Sequence, residues 1–399
     1  MKVNQIYSIL NDINKQLWGK DAVDVNNLAG LVSMGKTVMS SSDNMDKFIN
    51  KLVDRIGKTV VRTLDLELDF PALFMDSFTF GAVLQKITVN PFDSIENAEW
   101  EVGADDFEPT FADIHKCDIV VSYFTGVDTW KFQRTIPDNL FDSAFTSETS
   151  MGNFIDAIIK AMNDSMVMSI NNMSQTAVNN FIAEKIKVNN GVINLLSGYN
   201  NMVGAGNTIT ADKAMYNKDF MRYAVNEIRK YIKYLNKPSY LYNTGVIENG
   251  ATTPVLRATA RDNMHVIFNT WFTSAVESYL ESDTFHNELV KLPLYTEVPY
   301  WQGNKGENTV NDFTTNTSIK VVPSSEEGKD DPTDVEASGV IGLLADRQAI
   351  AVGINKQRNG AFRNDIDAYT NVSASATKMF INDLSENGII FIVADDETP

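Results

Sequence analysis

One cysteine, Cys117, in 399 residues leaves no partner for an intramolecular disulfide, so the chain cannot rest on covalent staples and suits a reducing cytoplasm. Histidine is nearly as scarce, with three in the chain, which makes a histidine or cysteine zinc set implausible. No apolar run approaches the roughly 20 residues of a membrane-spanning helix. The last of them, Gly388 to Ala394, is far shorter, so no crossing of a bilayer is expected. Met1 to Leu17 lacks the basic start, the unbroken apolar stretch and the small-residue cleavage site of a signal peptide. Positive charge is in deficit as well. Lys and Arg number 34 against 52 Asp and Glu, and the resulting formal charge of −18 argues against a protein that grips nucleic acid through a basic face.

What is present suffices for a large core: 43% hydrophobic residues over this length suit one large domain or two to three lobes. Residues 1 to about 60 read as an arm. Val3, Ile6, Ile9, Leu10, Ile13 and Leu17 recur at helical spacing, and a loose stretch follows from Gly19 to Ser42. A second helix, capped by Asp43 or Asn44, then places Phe48, Leu52, Val53 and Ile56 on one face before Gly57 ends it. From Val60 to Asn139 the texture turns to β-type runs, such as Val60 to Leu68 and Ile119 to Phe124, separated by acidic loops. Carboxylates including Glu96, Glu99, Glu101, Asp105, Asp106 and Glu108 resist burial in one small domain and are expected to face solvent or another subunit.

The strongest periodicity runs from Asn153 to about Val188, where Phe154, Ile158, Met162, Met166, Ile170, Met173, Ala177 and Phe181 recur every three or four positions. It predicts one long helix, and its methionine-rich stripe reads as core packing rather than a cofactor pocket. After a Gly- and Asn-rich link, a further helix is predicted from about Asp212 to Leu235. Short elements then alternate: strands at Met264 to Phe268, Leu289 to Leu292, Gly339 to Leu344 and Ala349 to Gly353, with a helix from Thr273 to Ser282. Gly303 to Thr317 and Ser324 to Glu336 read as surface loops, and Ile389 to Val393 as a final strand buried on both faces.

Two patterns imitate chemistry. Gly30 to Thr37 spells the phosphate-binding loop of nucleotide hydrolases, yet the polar Asp21 to Asn27 before it is no buried strand, and the Ser-rich Val38 to Asp43 after it is a weak helix start. His115 and Cys117 suggest a nucleophile with its base or two metal ligands, but the other histidines, His265 and His286, lie far along the chain. No GxSxG elbow, HExxH helix or EF-hand loop occurs. No enzyme activity, cofactor or metal is expected.

The order of parts resembles the Hong Kong 97-type α+β capsid fold of tailed bacteriophages, and two segments resemble the major capsid proteins of phi-29-type podoviruses. Phe48 to Arg62 looks like the turn of that family's N-terminal helix into its extended loop, and Ser143 to Ala161 looks like the entry to its spine helix. Met264 to Asn269 with Val290 to Gly303 is similar, more loosely, to its axial lobe. The resemblance implies an N-arm at 1–60 and an extended β-hairpin loop at 61–140. It implies a peripheral domain from 141–188 and 365–399 with the spine helix, and a mixed α/β axial domain at 189–364. It does not extend to covalent crosslinking between subunits, because no suitable Lys, Asn and Glu set is located.

Under this reading the chain is a structural subunit of the virion, assembled in the host cytoplasm. Its expected partners are copies of itself in pentamers and hexamers, scaffolding protein, portal, decoration or head-fibre proteins, and packaged double-stranded DNA bound without sequence preference. Arms and loops that cannot bury their apolar faces alone would bury them against neighbours. The expected interface residues are Phe48, Leu52 and Ile56 in the arm, and Phe70, Phe74, Phe78, Phe80, Trp130 and Phe132 in the loop. Replacing Leu52 by Asp should then block shells without unfolding the subunit. An encapsulin-like compartment shell and, remotely, a phosphate-loop hydrolase are the rival readings.

Overall fold

Apolar side chains gather around two separate cores in the computed structural model. It describes residues 3–19, 24–41, 43–52, 70–73, 84–91, 119–124, 127–137, 148–248, 251–280, 295–299, 301, 319–323, 325, 333–364 and 366–395. The helices are α1 (Val3–Trp18), α2 (Leu28–Val38), α3 (43–52), α4 (Glu148–Val188), α5 (Leu195–Val203), α6 (Ala211–Ala214), α7 (Lys218–Leu235) and α8 (Thr270–Leu280). The strands are β1 (Leu84–Val89), β2 (Ile119–Phe124), β3 (Val127–Pro137), β4 (Val192–Asn194), β5 (Val246–Glu248), β6 (Ala251–Thr253) and β7 (Met264–Asn269). They continue with β8 (Thr296–Val298), β9 (Ile319–Val321), β10 (Val335–Ala337), β11 (Val340–Asp346), β12 (Ile350–Asn364), β13 (Tyr369–Asn382) and β14 (Gly388–Ile392).

The first compact unit comprises 1–80, 127–173 and 352–379. Three helices supply most of its core: Leu10 and Ile13 from α1, Leu31, Met34 and Val38 from α2, and Met45, Phe48, Ile49 and Leu52 from α3 pack with Ile136 of β3 and Val372 of β13. Asn11 clamps the turn after α1, because its amide donates to the Val25 carbonyl at 3.1 Å while its side-chain oxygen accepts from the Val25 amide at 2.7 Å. Behind these helices runs a sheet in the order β12-β13-β3, in which β3 and β13 pair antiparallel over eleven residues from Val127↔Met379 to Pro137↔Tyr369.

Helix α2 corrects two expectations at once. Within the stretch expected to be loose, Leu28–Val38 is helical, because Asn27 caps it by accepting from the Gly30 amide at 2.9 Å. Gly30 is where the preceding turn crosses the helix so closely that a Cβ would meet the Asp24 carbonyl at 2.8 Å. The apparent phosphate loop therefore lies wholly inside a helix. Its amides are engaged along the helix, as in Leu31 to the Asn27 carbonyl at 3.0 Å, and cannot converge on phosphates, so the nucleotide reading is overturned. The cap of α3 is Ser41, whose hydroxyl accepts from the Asn44 amide at 3.2 Å, rather than Asp43 or Asn44.

The second unit comprises 81–126, 174–351 and 380–399. Its five-stranded mixed sheet runs β4-β14-β11-β7-β8, with β14 and β11, and β11 and β7, antiparallel and the two edges parallel. Every residue of β11 and β14 is buried, as two-sided cover requires. The final strand thus belongs to this sheet, and 380–399 falls in the unit that holds 189–280 rather than the one that holds 148–173. Helices α5, α7 and α8 build the core with the sheet through Leu196, Phe220, Met221, Ile228, Phe268, Phe272, Leu344 and Phe391. The helix expected from Asp212 to Leu235 is broken after Ala214, because the Asn217 side chain takes the Phe220 amide at 3.0 Å and starts a new helix, α7. Val335 and Glu336, expected in a loop, belong to β10, which pairs with β9. The segments expected as strands at 60–68 and 289–292, and His115 with Cys117, lie outside the described residues.

Helix α4 has 41 residues, about 60 Å at 1.5 Å per residue. Its last turns depart from a simple amphipathic stripe, since Gln175, Asn179, Asn180, Glu184 and Lys185 are buried alongside Val178, Phe181 and Ile182. Gln175 donates to Asn179 Oδ1 at 3.2 Å within the helix, whereas Glu184 and Lys185 are satisfied from outside it. The Glu184 carboxylate accepts from the Ser325 amide at 2.7 Å and hydroxyl at 2.9 Å, and the Lys185 ammonium donates to the Tyr242 carbonyl at 2.8 Å and Asn190 Oδ1 at 2.9 Å. A Cβ at Gly388 would meet the Phe181 ring at 2.7 Å, so glycine lets β14 approach the helix. Burial lowers the Lys185 amine from 10.5 to about 7, with the Asp383 carboxylate acting in the opposite direction.

Two predictions follow from this packing. Phe48→Ala opens a cavity and should cost about 3–5 kcal/mol in urea unfolding, whereas Leu28→Ala on the exposed side of α2 should cost well under 1 kcal/mol. For Lys185, the unfolded chain binds the extra proton between pH about 7 and 10.5, so its contribution to stability grows as pH rises through that window and is lost as pH falls through it. Lys185→Met should therefore flatten the rise of stability over that range, read from denaturation midpoints at stepped pH.

Candidate assembly surface

Two short strands turn Lys86, Thr88 and Val120 toward the protein and leave several apolar residues toward solvent. β1 and β2 pair antiparallel, with Ile87 opposite Val121, Val89 opposite Ile119 and Gln85 opposite Tyr123 on one face. On that face Ile87 is 61% exposed, Val89 52%, Ile119 54% and Tyr123 63%. Single exposed apolar residues need no explanation, but a contiguous set on one sheet face marks a surface that something covers.

The other face is fastened by charge. The Lys86 ammonium is ion-paired with Asp383 and Glu386, each at 2.5 Å. Arg257 reaches the same Glu386 oxygen at 3.2 Å, donates to the Thr88 hydroxyl at 2.9 Å and donates from Nε to the Ser385 carbonyl at 3.2 Å. Asn90 donates to the Pro254 carbonyl at 3.0 Å, and Val120 packs with Val246 and Val255. The Asp383 and Glu386 side chains are almost enclosed, and the turn that carries them is held by the Ser385 amide donating to Asp383 Oδ1 at 2.9 Å. Burial pushes the Glu386 carboxyl above its usual range against the opposing pull of Lys86 and Arg257. The clip is a desolvated charge cluster that fixes which face of the hairpin looks outward.

The expected interface residues distribute differently. Phe48 and Leu52 are enclosed in the core of the first unit and present nothing to a neighbour, so Leu52→Asp would strike that core instead of sparing the fold. Phe70 is buried beside the turn at Pro71–Leu73. Trp130 and Phe132 lie on β3, opposite Ala376 and Ala374. Ile56, Phe74, Phe78 and Phe80 lie outside the described residues. Ile87, Val89, Ile119 and Tyr123 went unnamed as contact residues although a short signal existed: Lys86–Val89 alternates polar with apolar, and that alternation identifies a face without saying which side is wet. Among the described residues, no group of three or more His, Cys, Asp or Glu side chains is placed to hold a metal ion, and no helix is long and apolar enough to cross a membrane.

Removing Lys86 leaves two enclosed carboxylates beside one remaining cation. Lys86→Met should loosen the hairpin by about 3–5 kcal/mol, read as faster amide exchange in β1 and β2 with the α7 amides unchanged.

Residues 7–392 match the family model of the Phi29-like phage major capsid protein. A major capsid protein of Streptococcus phage Cp-1 is 25% identical over 191 residues, 47% of this chain and 48% of that protein, so the chain spans about half the length of that relative. In structure, the chain is similar to the capsid of Staphylococcus phage Andhra, with a TM-score of 0.55 at 10% identity over 82% of this chain and 84% of the other. It is also similar to a chain in the structure of the head fibre and inner core protein of native bacteriophage P68, with a TM-score of 0.54 at 10% identity over 82% and 85%. Those likenesses show a fold shared with phage capsid structures, and the family match over nearly the whole length places this chain among the Phi29-like phage major capsid proteins.

Proposed function

We propose that this chain is the repeating tile of a phage head, assembling with copies of itself into pentamers and hexamers that close around double-stranded DNA. The observation that supports this most directly is the apolar outer face of the β1–β2 hairpin, held outward by the Lys86, Arg257, Asp383 and Glu386 clip. A neighbouring copy covering Ile87, Val89, Ile119 and Tyr123 would gain roughly 25 cal/mol per Å² of apolar area, repeated at every contact of the shell. A protein that exposes such a face is suited to assembly. Scaffolding, portal and head-fibre proteins are the partners such a tile would meet, with assembly in the host cytoplasm. The family match favours a virus shell over an encapsulin-like compartment of the same fold.

Ile87→Asp combined with Ile119→Asp should abolish shells in negative-stain microscopy while leaving the circular dichroism spectrum and unfolding midpoint of the subunit unchanged. Normal shells from that double variant would show that another surface joins the tiles.

A further inference from the structure

Among the described residues, exposed large apolar side chains line up three or more to a face in two places. One is the outer face of the β1–β2 hairpin. The other is helix α2, where Leu28 is 45% exposed, Val32 37% and Met39, directly after its last turn, 41%. Elsewhere no described helix or strand carries more than two, as with the widely separated Met168 and Val188 of α4.

Leu28, Val32, Gly35 and Met39 follow at intervals of four, three and four, the spacing of a helix seam that packs against something. At about 100° per residue they fall within an arc of roughly 60°, and Gly35, buried between Val32 and Met39, adds no bulk to it. The inward seam of the same helix, Leu31, Met34 and Val38, is centred about 100° away and is used in the core of the first unit. Exposed Ser33, Lys36 and Ser40 keep to a third arc. A surface helix needs one apolar stripe to hold it to its own fold, so the second seam of α2 is left over for another surface.

We propose that the Leu28, Val32 and Met39 seam of one copy packs on the β1–β2 hairpin face of the next copy. The inference rests on the reading that the chain tiles a shell, and names the surface that covers the hairpin there. A helix laid on a sheet face is one of the few layer packings that bury both apolar sides. The lengths agree, with about 16 Å along the helix from Leu28 to Met39 and about 14 Å along the strand from Gln85 to Val89. The chemistry agrees as well. The hairpin face consists of Ile87, Val89, Ile119, Val121, Tyr123 and Gln85, whose amide donates to the Tyr123 hydroxyl at 3.4 Å, and neither it nor the seam carries a charge that would lose its water. Because the two faces differ, the contact is heterologous: each copy offers its seam to one neighbour and its hairpin to the other, and such contacts close into rings. So few side chains fall short of the roughly 800 Å² per partner of a stable dimer, so free copies stay single and the contact forms where ring closure supports it.

The test uses the full-length chain in a Cys117→Ser background, with Val32→Cys and Ile87→Cys introduced alone and together. Purified shells are treated with a short bis-maleimide and resolved on a denaturing gel, and every variant should keep the unfolding midpoint of its parent. The double variant should give a covalent ladder beyond the dimer, ending at five and six copies, while each single variant in shells and the double variant as dilute free subunits run as monomers. Double-variant shells that yield only monomers overturn the proposal, as does a link that peptide mapping places within one chain. Dimers from Val32→Cys alone or from Ile87→Cys alone overturn it too, because each face would then meet its own kind. In the natural-cysteine chain, Val32→Glu/Met39→Glu should abolish shells at an unchanged midpoint, and normal shells from that variant reject the seam. A parent that forms no shells sinks the capsid reading together with this proposal, whereas parent shells with an unlinked seam and hairpin sink the proposal alone.

Discussion

A cluster of four charges, Lys86 and Arg257 against Asp383 and Glu386, determines the orientation of the β1–β2 hairpin and, with it, the surface this protein offers. A two-stranded ribbon is marginal alone and ordinarily turns its apolar side inward. Here the inner side is bound by ion pairs and by the Arg257 bond to Thr88, so Ile87, Val89, Ile119 and Tyr123 remain in water. Burying charge is a poor way to gain stability, but it is demanding about geometry, because a misplaced hairpin would leave enclosed carboxylates unpaired. The cluster fixes the orientation, with Val120 packing beside it against Val246 and Val255.

The same division of labour recurs where α4 ends. Glu184 and Lys185 are buried at the last turns, and each is answered by a loop: Ser325 for the carboxylate, Tyr242 and Asn190 for the amine. Apolar packing against Phe181 and the close approach at Gly388 supply the bulk of the burial, while the polar pairs fix which loops attach there. Enclosed polar pairs thus act as address labels in the second unit, and the first unit is built mainly by apolar helix packing around Phe48 and Leu31.

Much of the architecture was legible because it is periodic. The stripe through Phe154, Ile170 and Phe181 announces α4, the run at Ile389 announces a strand buried on both sides, and the Phe48 and Leu52 spacing announces α3. Helix α2 was hidden because its residues imitate a phosphate loop and its cap, Asn27, sits in a polar stretch that reads as a link. The break before α7 turns on one hydrogen bond from the Phe220 amide to the Asn217 side chain, which hydrophobic spacing does not register. The clip was beyond reach, because Lys86 and Glu386 are 300 positions apart and only the folded chain brings them together. Aromatic content led toward Phe48 and Phe70 as contact residues, yet both are buried, and the exposed set is mainly β-branched aliphatic.

Family membership and fold establish what kind of protein this is, and the account of how it works rests on the hairpin face being covered by a second copy. Carbene footprinting with residue-level mass spectrometry, applied to free subunits and to assembled shells, addresses that point directly. Labelling of Ile87, Val89, Ile119 and Tyr123 should fall sharply on assembly while labelling of the exposed Phe362 serves as an internal reference. Equal labelling of those four residues in subunit and shell would contradict the account.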